Sequence, residues 1–147
     1  MDCKEINFAL TNLSIDQFAT IFEPVSDKNV EFSLIQKLRA DYERRMIRLG
    51  IQVQFSESAK VFMQIEISCL FLIKEEDWLE LSDNGTSAVV LDKKFVAQLT
   101  AISIGTLRGT MLAKTENTPY SKYFLPLVDA TRLCKEDFRI EMSSKAR

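Results

Sequence analysis

VFMQIEISCLFLI, residues 61–73, is the stretch that decides the fold. Val61, Met63, Ile65, Ile67, Cys69, Phe71 and Ile73 take every second position, while Gln64, Glu66 and Ser68 lie between them. That is the period of a β-strand with one buried face. The other face is not uniformly polar, because Phe62, Leu70 and Leu72 stand at its ends, so the outer side of the sheet is either partly covered, by packing beneath the C-terminal helices, or partly sticky.

Toward the N-terminus, the polar turn Ser56 to Lys60 separates this strand from another in which Ile47, Leu49, Ile51, Val53 and Phe55 hold the odd positions. Before that, Phe32, Leu34, Leu38, Ala40 and Tyr42 hold the even positions. The change of phase predicts a hairpin near Asp41 to Arg44. A turn-rich stretch with Pro24, Ser26, Asp27 and Asn29 precedes these strands. Before it, Ile6, Phe8 and Leu10 alternate with Asn7, Ala9 and Thr11 as a first strand.

Toward the C-terminus, Lys74 to Leu91 is a connector with an acidic start (Glu75, Glu76, Asp77, Glu80), the single Trp78 and an Asn84-Gly85 turn. Hairpin, helix and loop all remain open for it. Asp92 to Lys114 predicts one long helix with Asp92 as N-cap. Its apolar residues Phe95, Leu99, Ile102, Ile104, Leu107 and Met111 spread over more than one face, so it needs two partners. A ridge of small residues, Ala101, Gly105, Gly109 and Ala113, runs along the helix, where each glycine costs ~1 kcal/mol relative to alanine. The ridge either lets the helix lie close on its own sheet or lets a second copy approach across a subunit interface. Thr118-Pro119 stops the helix, and Tyr120, Tyr123, Phe124, Leu125, Pro126 and Leu127 form an apolar connection where a polar loop is the default. Asp129 to Phe138 predicts a short helix capped by Asp129, with Leu133 and Phe138 as apolar contacts.

The expected architecture is α+β: a four-stranded antiparallel sheet packed by one long helix, with a crossover loop and a short C-terminal helix. It forms a single domain over residues 1–147, with a core over about 5–138 and a tail over 139–147 expected to fray.

The 147 residues carry 19 Lys and Arg against 21 Asp and Glu, a formal charge of -2 that does not suit a strongly basic nucleic-acid binder. Arg39, Arg44, Arg45 and Arg48 are accordingly read as a turn and a strand's outer face, and no nucleic-acid partner is expected. The chain has no histidine, which excludes Ser-His-Asp and Cys-His catalysis and His-ligated metal within it. Cys3, Cys69 and Cys134 are odd in number and lack CxxC spacing, which fits a reduced, intracellular setting. The start MDCKEI has no apolar core of a secretory signal. The uncharged stretch Phe95 to Leu107, at 13 residues, is too short to span a bilayer. No phosphate-cradling glycine motif, metalloprotease motif or nucleophile elbow occurs, so neither cofactor nor catalytic site is expected and the chain is read as a non-enzyme.

The run IGTLRGTMLAKTENTPYSKYFLPLVD, Ile104 to Asp129, resembles the SecB family of protein-export chaperones. In that family a long helix with an Arg near its middle leads into a crossover with a Pro-aromatic pair and then a Leu-Pro-x-x-(Asn/Asp) element. Here these are Arg108, Pro119-Tyr120 and Leu125-Pro126-Leu127-Val128-Asp129. The order of elements extends the resemblance over about residues 5 to 135. It implies an ATP-independent, cytoplasmic holdase that assembles as a dimer of dimers and keeps unfolded client proteins from aggregating. Carried onto this chain, the client groove would be lined by Tyr120, Tyr123, Phe124, Leu125, Leu127, Leu133 and the outer-sheet residues Phe62, Leu70 and Leu72. The helix from Asp92 would build the homo-oligomer interface at Ala101, Gly105, Gly109 and Ala113. Exporting members dock the SecA motor on acidic sheet surface, whereas this chain is nearly balanced and shows Arg44, Arg45 and Arg48 in its third strand. Glu66 with Glu75, Glu76 and Asp77 would be a weaker acidic patch for SecA. A toxin-antitoxin pair as a dedicated client, or a small apolar ligand held in a closed pocket, are the alternatives.

Overall fold

Ile47, Leu49, Ile51, Val53 and Phe55 are the floor of the core, none more than 4% exposed. They lie on one face of β3 (Met46–Glu57), which is flanked by β2 (Val30–Asp41) and β4 (Lys60–Ile73). The computed structural model describes residues 5–82 and 88–141. β1 (Phe8–Thr20) pairs antiparallel with β4 and completes a sheet of order β1-β4-β3-β2, a Greek-key arrangement in which residues 21–29 cross from one edge to the other.

The turn at Tyr42 to Arg45 separates β2 from β3 where the change of phase places it. β1 runs further than simple alternation suggests. Its large apolar residues sit at 8, 10, 13, 15 and 18, and register shifts between Leu10 and Asn12 and between Ile15 and Gln17 keep all five on the inner face. As an edge strand it leaves Leu10, Leu13 and Ile15 about half exposed.

Among its described residues the Lys74–Leu91 connector holds two elements. The first is α1 (Glu75–Leu81), whose first turn carries Glu75, Glu76 and Asp77, where the helix dipole favours acids. Asp77 turns inward and accepts from Asn7 N at 2.8 Å, and Trp78 enters the core. The second is β5 (Ala88–Leu91); the Asn84-Gly85 turn lies outside the described residues. Asp77 is therefore core and does not belong to an acidic surface patch with Glu66, Glu75 and Glu76.

The long helix is α2 (Lys93–Thr115), with Asp92 capping it by accepting from Lys94 N at 2.6 Å. It ends before Thr118-Pro119, at Glu116 followed by Asn117 in the left-handed region. Leu99, Ile104, Leu107 and Met111 pack on the sheet. α3 (Ala130–Leu133) and Cys134 flank the helix on the side of β2, where Thr100 Oγ1 lies 3.0 Å from Gln36 Oε1 and 3.6 Å from Cys134 Sγ. The C-terminal helix is thus four residues long rather than reaching Phe138, although Asp129 caps it as expected, accepting from Thr131 N at 3.0 Å. Phe138 instead opens β6 (Phe138–Glu141), which pairs with β5, so residues 139–141 belong to a strand rather than a frayed tail.

The β3–β4 hairpin closes in two residues, Glu57 pairing with Lys60 across Ser58 and Ala59, whose φ angles are 49° and 70°. Both lie in the left-handed region that a type I′ turn demands and that Asn-Gly fits far better. Replacing Ser58-Ala59 by Asn-Gly is expected to stabilise the fold by about 1–2 kcal/mol, read as a rise of several degrees in thermal midpoint. An unchanged or lower midpoint would show that the turn is not strained.

Candidate functional site

Phe62 anchors the end of the sheet where the crossover arrives. In the ladder Phe55 pairs with Met63 and Ser56 with Val61, so Phe62 is the extra residue of a bulge. The bulge turns its ring off the outer face and into the core, where it is fully buried. Phe62 lies 5.9 Å from Phe22, 6.3 Å from Phe55, 6.3 Å from Tyr120 and 5.0 Å from Tyr123, centroid to centroid. Rings from the 21–29 connector, the hairpin and the crossover thus meet at one residue, in edge and stacked geometries that favour aromatic pairs. Phe55 extends the chain to Phe32 at 6.1 Å, which is 42% exposed at the edge of β2.

The crossover is pinned from two directions. Arg108 of α2 donates from Nε to the Leu125 carbonyl at 3.0 Å and from Nη2 to the Pro126 carbonyl at 2.9 Å. A guanidinium fork holding two successive carbonyls accounts for an arginine at mid-helix before this loop. The Tyr123 hydroxyl donates to Asp27 Oδ1 at 2.6 Å, with Lys122 Nζ 3.3 Å from the same oxygen. The hairpin tip holds the connector in turn, since the Glu57 carboxylate accepts from Val25 N at 3.1 Å and Ser26 N at 2.8 Å.

This pinning sorts the nine expected groove residues. Phe62, Tyr123 and Leu125 are core side chains and line no open groove. Tyr120 is half-buried on Phe62, whereas Phe124 is 67% and Leu127 94% exposed, and Leu133 is exposed at the end of α3. Leu70 and Leu72 lie on the outer face of β4, so the sheet itself stands between them and the crossover. Sequence reasoning passed over Ile21 and Val25, which are 61% and 94% exposed on the connector that also carries Asp27. Apolar residues within a turn-rich stretch were the available signal. The small ridge of α2 faces solvent: Ala101, Gly105, Gly109 and Ala113 are exposed, and a Cβ added at either glycine would meet nothing within 4 Å. It does not serve approach to the chain's own sheet.

Among the described residues no group of three or more His, Cys, Asp or Glu side chains could hold a metal ion, and no helix is long and apolar enough to cross a membrane. Burial pushes the Cys69 thiol up, which suits a packing role.

No family model and no curated protein matches the chain in sequence. Among solved structures, it is similar to a SecB-like chaperone from Mycobacterium tuberculosis, solved with a peptide from an antitoxin, at 12% identity and a TM-score of 0.49 over 82% of this chain and 90% of that one. It is also similar to a Streptococcus agalactiae protein of unknown function, at 13% identity and a TM-score of 0.43 over 85% of this chain and 99% of that one. Likenesses of this degree assign no activity.

The Tyr123–Asp27 bond has a pH signature. The hydrogen bond from Tyr123, and after it that from Lys122, holds the Asp27 carboxyl below the usual carboxylate range. Burial pushes the Tyr123 hydroxyl up, and its bond to Asp27 adds to the shift. A depressed carboxyl stabilises the fold above its unfolded pKa of about 4, and that stability is lost as pH falls through the folded value. The raised phenol stabilises below its unfolded pKa of about 10 and loses this as pH rises. Tyr123→Phe is therefore expected to melt below the wild type at pH 7, with a difference that narrows on acidification through the carboxylate range. A difference that stays constant into acid would show that the Tyr123 hydroxyl does not act through the Asp27 carboxylate.

Proposed function

We propose that the chain is a SecB-like holdase that keeps non-native polypeptide from aggregating, without nucleotide or cofactor. The observation that carries this reading is the crossover: Arg108 and the Tyr123–Asp27 bond hold its backbone so that Phe124 and Leu127 stay turned to solvent while Leu125 fills the core. Together with Ile21 and Val25 on the connector and Phe32 on the sheet edge, they offer scattered apolar side chains on a fixed frame. Unfolded chains present dispersed apolar groups in no fixed order, and extended apolar surface suits them better than a shaped polar pocket. The family resemblance of Ile104 to Asp129 points the same way. A closed pocket for a small apolar ligand is less well supported, because the rings that would line it pack on one another.

In this reading the protein works in the cytoplasm on unfolded clients, either dedicated ones such as an antitoxin or export substrates passed to SecA. Phe124→Ser with Leu127→Ser is expected to abolish most suppression of client aggregation, measured by light scattering of a refolding protein. The fold should be disturbed by no more than about 0.5 kcal/mol, since both side chains are exposed. Full suppression by a folded double variant would remove the crossover from client binding.

The same reading includes a dimer of dimers joined through the exposed ridge of α2. The open space at Gly105 makes that separable from stability. Gly105→Leu should raise helix stability by about 0.5–1 kcal/mol while lowering the mass in solution, as read by light scattering after size exclusion. A variant that keeps the wild-type mass would exclude the ridge from the interface.

A further inference from the structure

The outer face of the sheet, away from the crossover, carries a depression of about 190 Å³ lined by Asp16, Lys37, Arg39, Arg48, Gly50, Glu66 and Ser68. The register explains its form. Lys37, Gly50 and Ser68 lie in one row across β2, β3 and β4, with Gly50 paired to both neighbours, so the missing side chain of Gly50 is the hollow. The next row brings Arg39 directly opposite Arg48.

Two features of this site are unexplained by the fold. Glycine weakens a strand interior, and nothing here requires one: the Gly50 backbone is not in the left-handed region, and an added Cβ would meet Ser68 Oγ at 3.8 Å and the Ile67 carbonyl at 3.9 Å, ordinary contacts. Like charges directly opposed on neighbouring strands are also unfavourable. Arg48 leans away, donating from Nη2 to Ser68 Oγ at 3.1 Å with Asp16 3.6 Å off, and the Ser68 hydroxyl, 3% exposed as a residue, bonds to Asp16. Arg39 and Lys37 are exposed and have no ion-pair partner among the described residues. The rim thus holds three cationic side chains against two carboxylates, with the two unpaired cations on one side of the hollow.

We infer that this hollow is a binding site for a single oxyanion, a carboxylate or a phosphate group, seated over Gly50 and held by Lys37 and Arg39 with Arg48 as the third donor. An anion there relieves the Arg39–Arg48 repulsion and uses the space that only glycine leaves open. The site lies across the sheet from Phe124 and Leu127, so client holding and anion binding succeed or fail separately.

The experiment is a nuclear magnetic resonance titration of the full chain with inorganic phosphate, succinate and a capped acidic peptide, each against sodium chloride at matched ionic strength. Saturable shifts of the Gly50 and Ser68 amides are expected, with affinity falling about tenfold in Lys37→Gln/Arg39→Gln. Saturation by the small anions alone identifies a free oxyanion as ligand, and tighter saturation by the peptide identifies an acidic chain. Gly50→Thr is expected to raise the thermal midpoint while abolishing binding, a combination that a purely structural glycine would not give. Shifts that chloride reproduces, that survive the double substitution, or that persist in a folded Gly50→Thr protein would overturn the assignment.

Discussion

One extra residue in β4 governs the end of the sheet where the crossover lands. Without the bulge, Phe62 would continue the outward phase of Gln64 and Glu66; with it, the ring enters the core and becomes the meeting point of Phe22, Phe55, Tyr120 and Tyr123. The connector and the crossover are far apart in sequence and share no sheet hydrogen bonds, so this cluster and the Tyr123–Asp27 bond fasten them to each other. Truncating such a ring in a packed core costs about 3–5 kcal/mol, enough to release the crossover as well as destabilise the sheet. The exposed apolar residues at this end owe their positions to a side chain that none of them resembles in exposure.

β4 was legible because so long a period of two is hard to produce by chance, although the bulge turns Val61, the first of its seven positions, to the outer face opposite Ser56; β3 keeps the same period over five positions, and the β2–β3 turn was legible because the phase changes there. What stayed hidden follows from breaks in that period. Thr11 and Asp16 are unpaired in β1, so its apolar residues look aperiodic although all share one face. The same effect placed Phe62 on the wrong side. β5 and β6 are each four residues and pair across most of the C-terminal half, too short for periodicity and too distant for any local signal.

The crossover was legible as apolar but not as a sorted surface. Tyr123 and Leu125 turn inward while Phe124 and Leu127 turn outward, an alternation too brief to recognise and interrupted by Pro126. Which residues turn in is set by Asp27 and Phe62, partners that local sequence does not reveal. The long helix shows the converse. Its two apolar flanks correctly called for two partners, and the sheet together with α3 and Cys134 supply them, leaving the glycine ridge toward solvent.

The Greek-key order also bears on how the chain reaches this state. β2, β3 and β4 are joined by a four-residue and a two-residue turn, so their pairing closes small loops, whereas β1 must span the whole meander to place Phe8 opposite Ile73. Loop-closure entropy therefore favours the three-stranded meander first and the docking of β1 last. Until β1 arrives, β4 is itself an open edge with its richest apolar face beside it. Before β1 docks, this chain presents the kind of surface that invites aggregation.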